Sequence, residues 1–207
     1  MTRFEANIRG EVEPREANRR VFFALWPDAA LRAALARATH KAVSASGGRP
    51  VSTHGLHATL VFLGSVPEPR IPELEAIAGR VATAFSAGRS LRVAPPQLIF
   101  DRIEHWQKAQ IICATVGAES GEAVTIVDSL AEALKRETIG AGFSPDLKPF
   151  RAHVTVARKV ARTTPMLDMH SVPWNCTGFA LVESRTAAGG AIYSVINSWT
   201  LDSRQNT

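Results

Sequence analysis

Two short stretches of this sequence share one pattern. His57, Ala58, Thr59 and Leu60 open the run "HATLVFLG", and His153, Val154, Thr155 and Val156 open the run "HVTVAR". In an extended strand, side chains two apart point to the same face. Each motif therefore presents an imidazole and a hydroxyl together, with its apolar residues turned away. A strand of this kind covers a core with its back and lines open space with its front. One such strand lies in each half of the chain. Either the repetition is chance, or the two halves each deliver one His and one Thr to a shared place.

The remaining segments predict what surrounds these strands. "RRVFFALWP" (19–27) reads as a buried strand ended by Pro27. Asp28 is placed to cap a helix that runs to Gly47 and Gly48. A second helix is predicted through about Ala87, and a third, "ESGEAVTIVDSLAEALKRETIG", ends near Gly140. "SLRVAPPQLIF" reads as a strand broken by Pro95 and Pro96, hence an edge or a bulge. "AQIICATVG" reads as a further strand, and "WNCTGFALVESR" and "AIYSVINSWTL" as a hairpin across "TAAGGA". Short connections and mixed order suit an α+β fold with helices packed on antiparallel sheets.

With 207 residues, 45% of them hydrophobic, the chain can bury one sizeable core or two small lobes sharing an interface. Residues 1–18 mix charges of both signs without an apolar stretch, and are expected to form a mobile N-terminal tail rather than a signal peptide. Residues 19–207 are expected to form a single domain. No apolar run is long enough to span a membrane. Cys113 and Cys176 belong to no pairing motif and are expected as reduced thiols of a cytoplasmic protein. Lys plus Arg exceed Asp plus Glu by 24 to 19, a net charge of +5. That mild excess suits an anionic partner such as RNA.

Two imidazoles facing each other across a cleft can do acid–base chemistry. Imidazole titrates near neutral pH, so one ring can be neutral while the other is protonated. A base and an acid on opposite sides of a phosphorus suit in-line displacement. Thr hydroxyls can donate hydrogen bonds to phosphate oxygens as charge builds there. Neither motif contains a carboxylate, and the chemistry calls for no metal and no cofactor.

"RVFFALWPD", "LHATLVFLGSV", "FRAHVTVAR" and the closing "YSVINSWTL", in that order, resemble the two-histidine phosphoesterases. Within that superfamily they are similar to the bacterial and archaeal RNA 2′,3′-cyclic phosphodiesterases of the LigT type, formerly named 2′-5′ RNA ligases. The resemblance runs from about Arg19 to Leu201. It implies a two-lobed α+β fold with pseudo-twofold symmetry, each lobe giving one HxTx strand to a central cleft. It implies metal-independent opening of an RNA 2′,3′-cyclic phosphate to a 2′-phosphate, on RNA ends or small cyclic-phosphate nucleotides, by an enzyme expected to be monomeric.

By the same resemblance His57 is the proton donor to the leaving 3′-oxygen and His153 the acceptor from water, with Thr59 and Thr155 holding the phosphate. Arg158 and Phe62 map to a phosphate-binding arginine and a base-stacking aromatic. Both stand five residues past their histidine, so a regular strand turns them to the wrong face; they reach the cleft only if the strand ends, bulges or twists. Arg151 has the favourable parity with His153 but a less clear family assignment.

His40, His54, His105 and His170 lack Thr at i+2 and read as surface or loop residues, His54 being near enough to touch the rim. Trp106, in "EHWQK", reads as a stacking platform for RNA or, alternatively, as a hairpin or loop aromatic packed on its own lobe. Two further functions stay open at this point: 2′-5′ RNA ligation, and RNA binding without catalysis. No phosphate-binding Gly-rich loop of the ATP-dependent type is present.

Overall fold

In the computed structural model the described residues are 17–87, 94–161, 167–188 and 190–201. Strand β1 (Asn18–Leu25) leads into helix α1 (Ala29–Ser46), the short β2 (Arg49–Pro50), β3 (Ala58–Pro67) and α2 (Ile71–Ala87). There follow β4 (Gln97–Trp106), β5 (Ile111–Val116), α3 (Gly121–Gly140), β6 (His153–Arg158), β7 (Leu167–Asn175), β8 (Gly178–Ala187) and β9 (Gly190–Thr200). One sheet has the order β3-β1-β8-β9 and the other β2-β6-β5-β4-β7. Every pairing is antiparallel. The architecture is α+β and two-lobed.

The twofold character is visible in the connections. β1, α1 and β3 form one strand–helix–strand unit, and β5, α3 and β6 form another. In both, the two strands are antiparallel neighbours and the second carries a His–Thr motif. The helices cross over: α1 packs on β5, β6 and β7, whereas α3 packs on β3 and β4. Phe23 and Leu25 of β1, Leu35 of α1, Leu74 of α2, Phe100 of β4 and Leu130 of α3 therefore share one continuous core. Each is fully buried, which contributes roughly 1.5–3 kcal/mol per side chain.

The ends of α1 follow the sequence. Asp28 Oδ1 accepts the Leu31 N–H at 2.7 Å, and Gly47 takes a left-handed conformation, φ 63°, that a Cβ disfavours. The hairpin β8–β9 forms as expected, paired from Gly178 opposite Thr200 to Ala187 opposite Gly190 with a register shift between Leu181 and Val182.

Two expectations need correction, and a third lies mostly outside the described residues. The stretch read as a tail is outside the described residues except for Ala17 and Asn18. Asn18 already pairs with Pro67, and the Ala17 carbonyl accepts the Glu68 N–H at 2.8 Å. The strand read from Ser90 begins only at Gln97, past both prolines; residues 88–93 are outside the described set. It continues through Trp106 and lies between β5 and β7, so it is interior, with a bulge near Asp101 where its register shifts against both neighbours. Finally, β7 was not anticipated. Its sequence, "LDMHSVPWN", mixes polar residues with a proline, which only an edge strand tolerates, and β7 is the edge beside β4.

Candidate active site

His57 sits immediately before β3, after a 3-10 turn at Thr53–Gly55. Its Nδ1–H donates to the Gly55 carbonyl at 2.7 Å. Three aromatic rings enclose it: Phe22 at 4.8 Å, Tyr193 edge-on at 4.9 Å, and Trp26 stacked at 5.5 Å between centroids. These rings belong to a small apolar layer of Phe22, Ala24, Ala180 and Val182, with Trp26, Phe62 and Tyr193 packed on it. The layer is separate from the main core and covers the cleft face of the four-stranded sheet. Thr59 stands opposite Ala24 on that face.

His153 repeats this arrangement in the other lobe. Its Nδ1–H donates to the Arg151 carbonyl at 2.7 Å, again two residues back. Trp106 lies against its ring at 4.5 Å. His153 stands opposite Thr115, and Thr155 opposite Cys113. A carbonyl can only accept, so Nδ1 carries the hydrogen in both rings. When neutral, each ring therefore directs the Nε2 lone pair away from its own backbone.

The parity difficulty at Phe62 and Arg158 is resolved by two bulges. In β3, Thr59 pairs with Ala24 but Val61 with Phe23 and Phe62 with Phe22, so one extra residue sits at Leu60–Val61. Ala24 and Phe22 are on one face; Thr59 and Phe62 therefore share it. In β6, Thr155 pairs with Cys113 but Ala157 with Ile112 and Arg158 with Ile111, so the extra residue sits at Val156–Ala157. Cys113 and Ile111 are on one face, hence so are Thr155 and Arg158. The paired burial of Leu60 with Val61, and of Val156 with Ala157, has the same origin.

Burial sets the electrostatics first. It drives the His57 pKa from 6.5 down to about 4, against the opposing effect of the Gly55 hydrogen bond. The charges of Arg158, His153 and Arg32 lower it further. His153 is lowered too, by burial first; its hydrogen bond to Arg151 and the Glu104 charge act the other way, while Arg151 and Arg158 add to the lowering. Arg158 thus acts on both rings, and no carboxylate pairs with it among the described residues. The cleft is preset for an anion. Beneath it Cys113 is buried, its thiol pushed up to about 12, with Sγ 3.9 Å from Thr155 Oγ1. Among the described residues no group of three or more His, Cys, Asp or Glu is arranged as a metal site.

The other predicted residues are placed as follows. Arg151 is occupied: it pairs with Glu104 at 2.5 Å and its guanidinium lies 4.6 Å over the Trp106 ring. The Phe62 ring has the Arg20 guanidinium over it at 4.7 Å. Trp106 ends β4 and is no loop residue; it packs on its own lobe, against His153. His40, His54 and His170 are exposed, the last on β7. His105 is half-buried within β4, which corrects its reading as surface or loop. Phe22, Trp26, Tyr193 and Glu104 were missed. All four come from elements far from the motifs, and the only local signal was the aromatic density of "VFFALWP".

A family model described as LigT-like phosphoesterase matches residues 25–107. An RNA 2′,3′-cyclic phosphodiesterase of Thermus thermophilus is 31% identical over 194 residues, 88% of this chain and 90% of that protein. One of Escherichia coli is 28% identical over 186 residues, 88% and 96% of the two chains. A crystal structure of a Thermus thermophilus protein matches with a TM-score of 0.69 at 28% identity, covering 89% of this chain and 99% of that one. The Escherichia coli LigT structure with 3′-AMP matches at 0.70 and 23% identity, covering 89% and 98%, a likeness of fold.

Proposed function

The chain belongs to the LigT-like phosphoesterase family, and from that premise we propose that it is a hydrolase acting as an RNA 2′,3′-cyclic phosphodiesterase. The relatives that span most of its length carry that activity in their names. The substrate is an RNA end, or a small nucleotide, bearing a 2′,3′-cyclic phosphate. The product carries a 2′-phosphate and a free 3′-hydroxyl. The working form is a cytoplasmic monomer, a setting that two buried free cysteines suit.

In the proposed reaction a water oxygen attacks phosphorus, and Nε2 of His153 takes its proton. The P–O3′ bond breaks, and Nε2–H of His57 gives its proton to the departing O3′. Thr59 and Thr155 donate hydrogen bonds to the non-bridging oxygens, and Arg158 balances their charge. These side chains supply acid, base and charge stabilisation together, so the mechanism uses no metal. Phe62 contacts the nucleoside. Arg151 acts on the cleft through Trp106 and its own carbonyl rather than on the phosphate.

The low proton affinity of His57 is consistent with the donor role. A ring of low pKa is the stronger acid once charged. A cyclic phosphodiester between the rings brings the negative charge that offsets Arg158 and His153 and lets His57 take up its proton. The observation that carries the reading is the matched pair: two His–Thr strands, each ring tied by Nδ1 to a carbonyl two residues back. It is tested by incubating the protein, with EDTA present, with an oligonucleotide ending in a 2′,3′-cyclic phosphate. A 2′-phosphate end is the expected product. A 3′-phosphate end, joined strands or unreacted substrate refutes the reading.

A further inference from the structure

The two histidines are alike in backbone anchoring but not in surroundings. Near His57 the charges that act on the ring are Arg158, His153 and Arg32, all disfavouring protonation. Among the described residues one carboxylate acts on His153, Glu104 of β4, which stands opposite Cys113 and thus in the same cross-sheet row as Thr155.

Glu104 does not reach His153 itself. It holds three groups that surround it. Oε1 accepts the Thr115 hydroxyl at 3.0 Å, and Thr115 is the residue directly opposite His153. Oε2 accepts the Trp106 Nε1–H at 2.9 Å, and the Trp106 ring lies on His153. The same Oε2 pairs with Arg151, whose carbonyl receives the His153 Nδ1–H and whose guanidinium covers Trp106. A partly buried carboxylate accepting three donors stays ionised; burial raises its pKa, but the bonds from Trp106, Thr115 and Arg151 outweigh this and leave it lowered.

We infer that Glu104 is a positioning residue for the proton acceptor: it fixes the wall around His153 and places beside it a negative charge that partly offsets Arg151 and Arg158, an offset absent from the charges acting on His57. The charged groups facing His153 are Arg151 and Arg158 from its own strand region, Glu104 from β4, and His57 across the cleft. Glu104 is the negative one among them. The inference rests on the phosphodiesterase reading for its chemical meaning, but not for its test.

That test is NMR titration of both histidines in the substrate-free full chain, with the nearly isosteric Glu104→Gln variant. In the wild type His153 is expected to titrate above His57. Glu104→Gln should lower the His153 midpoint by on the order of one pH unit while His57 moves less. Glu104→Asp, which keeps the charge, should restore much of it. On a cyclic-phosphate oligonucleotide, Glu104→Gln should lower kcat on the order of 10-fold, less than loss of the base itself, shift the acid limb of the profile to lower pH, and leave KM nearly unchanged. A His153 midpoint unmoved in Glu104→Gln overturns the inference, even if melting temperature and kcat both fall, because that combination marks a merely structural role. If the wild type proves inactive on the cyclic phosphate, the function is refuted while the titration still decides the role of Glu104.

Discussion

Thr155 and Arg158 share one face of β6 although an odd number of positions separates them. The extra residue at Val156–Ala157 reverses the alternation between them. The same device at Leu60–Val61 brings Phe62 to the face of Thr59. Each lobe thus presents His, Thr and the residue five past the histidine to one surface. In the second lobe an imidazole, a hydroxyl and a guanidinium all come from one six-residue strand.

Arg158 faces the cleft and pairs with no carboxylate among the described residues. Its planar guanidinium can hold two phosphate oxygens at once, which an ammonium does not reproduce. Arg158→Lys should therefore lower kcat/KM on a cyclic phosphate by about 10-fold or more, of the order expected for one charge-assisted contact. Steady-state kinetics check this. A fully active variant shows that Arg158 is only a solvated cation at a strand end.

The hydroxyls of Thr59 and Thr155 are proposed to bond the reacting phosphate. Replacing either by Val keeps the branched shape and removes the donor. Turnover should fall by about 10²-fold or more, with little change in melting temperature. Equal turnover in wild type, Thr59→Val and Thr155→Val makes the hydroxyls structural.

His57 is held in its neutral form by burial, with a pKa of about 4 in the folded chain against 6.5 unfolded. Above pH 6.5 the ring is neutral in both states. As pH falls from 6.5 to 4 the unfolded chain takes up the proton first, so folding stability declines over that window, by roughly 3 kcal/mol at most. Denaturant unfolding at a series of pH values measures this, and His57→Gln should flatten part of the decline. Inorganic phosphate should raise the His57 midpoint in an NMR titration. A His57 titrating near 6.5 in the free protein contradicts the assignment of its burial.

Chelation is a separate test. With acid, base and charge stabilisation assigned to side chains, EDTA should leave the rate on a cyclic phosphate nearly unchanged. Activity lost on chelation and restored by a divalent ion sinks the mechanism.

The division of labour between the rings can be separated by the leaving group. On a nitrophenyl phosphodiester the departing oxygen needs no proton, so only the acid becomes dispensable. His57→Ala should then retain much more activity than His153→Ala, whereas both lose most of it on the cyclic phosphate. Equal losses on the nitrophenyl substrate remove His57 from the acid role, and the opposite ranking exchanges the two.

What the sequence determined is what depends on near neighbours along the chain. Alternation put His57 with Thr59 and His153 with Thr155, because the pleat fixes the direction of side chains two apart. Asp28 and Gly47 marked the ends of α1, because capping is decided within one turn. Tertiary structure decided what depends on a partner strand or on exclusion of water. A bulge exists only relative to the strand across from it, so the cleft-facing placement of Phe62 and Arg158 was invisible until Phe22–Ala24 and Ile111–Cys113 supplied the register. Phe22, Trp26 and Tyr193 enclose His57 from β1, the loop after it and β9. Glu104 reaches the surroundings of His153 from two strands away. The proton affinity of an imidazole is set by the groups that replace its water, and most of those groups were brought to each ring by the pairing of strands within its own sheet.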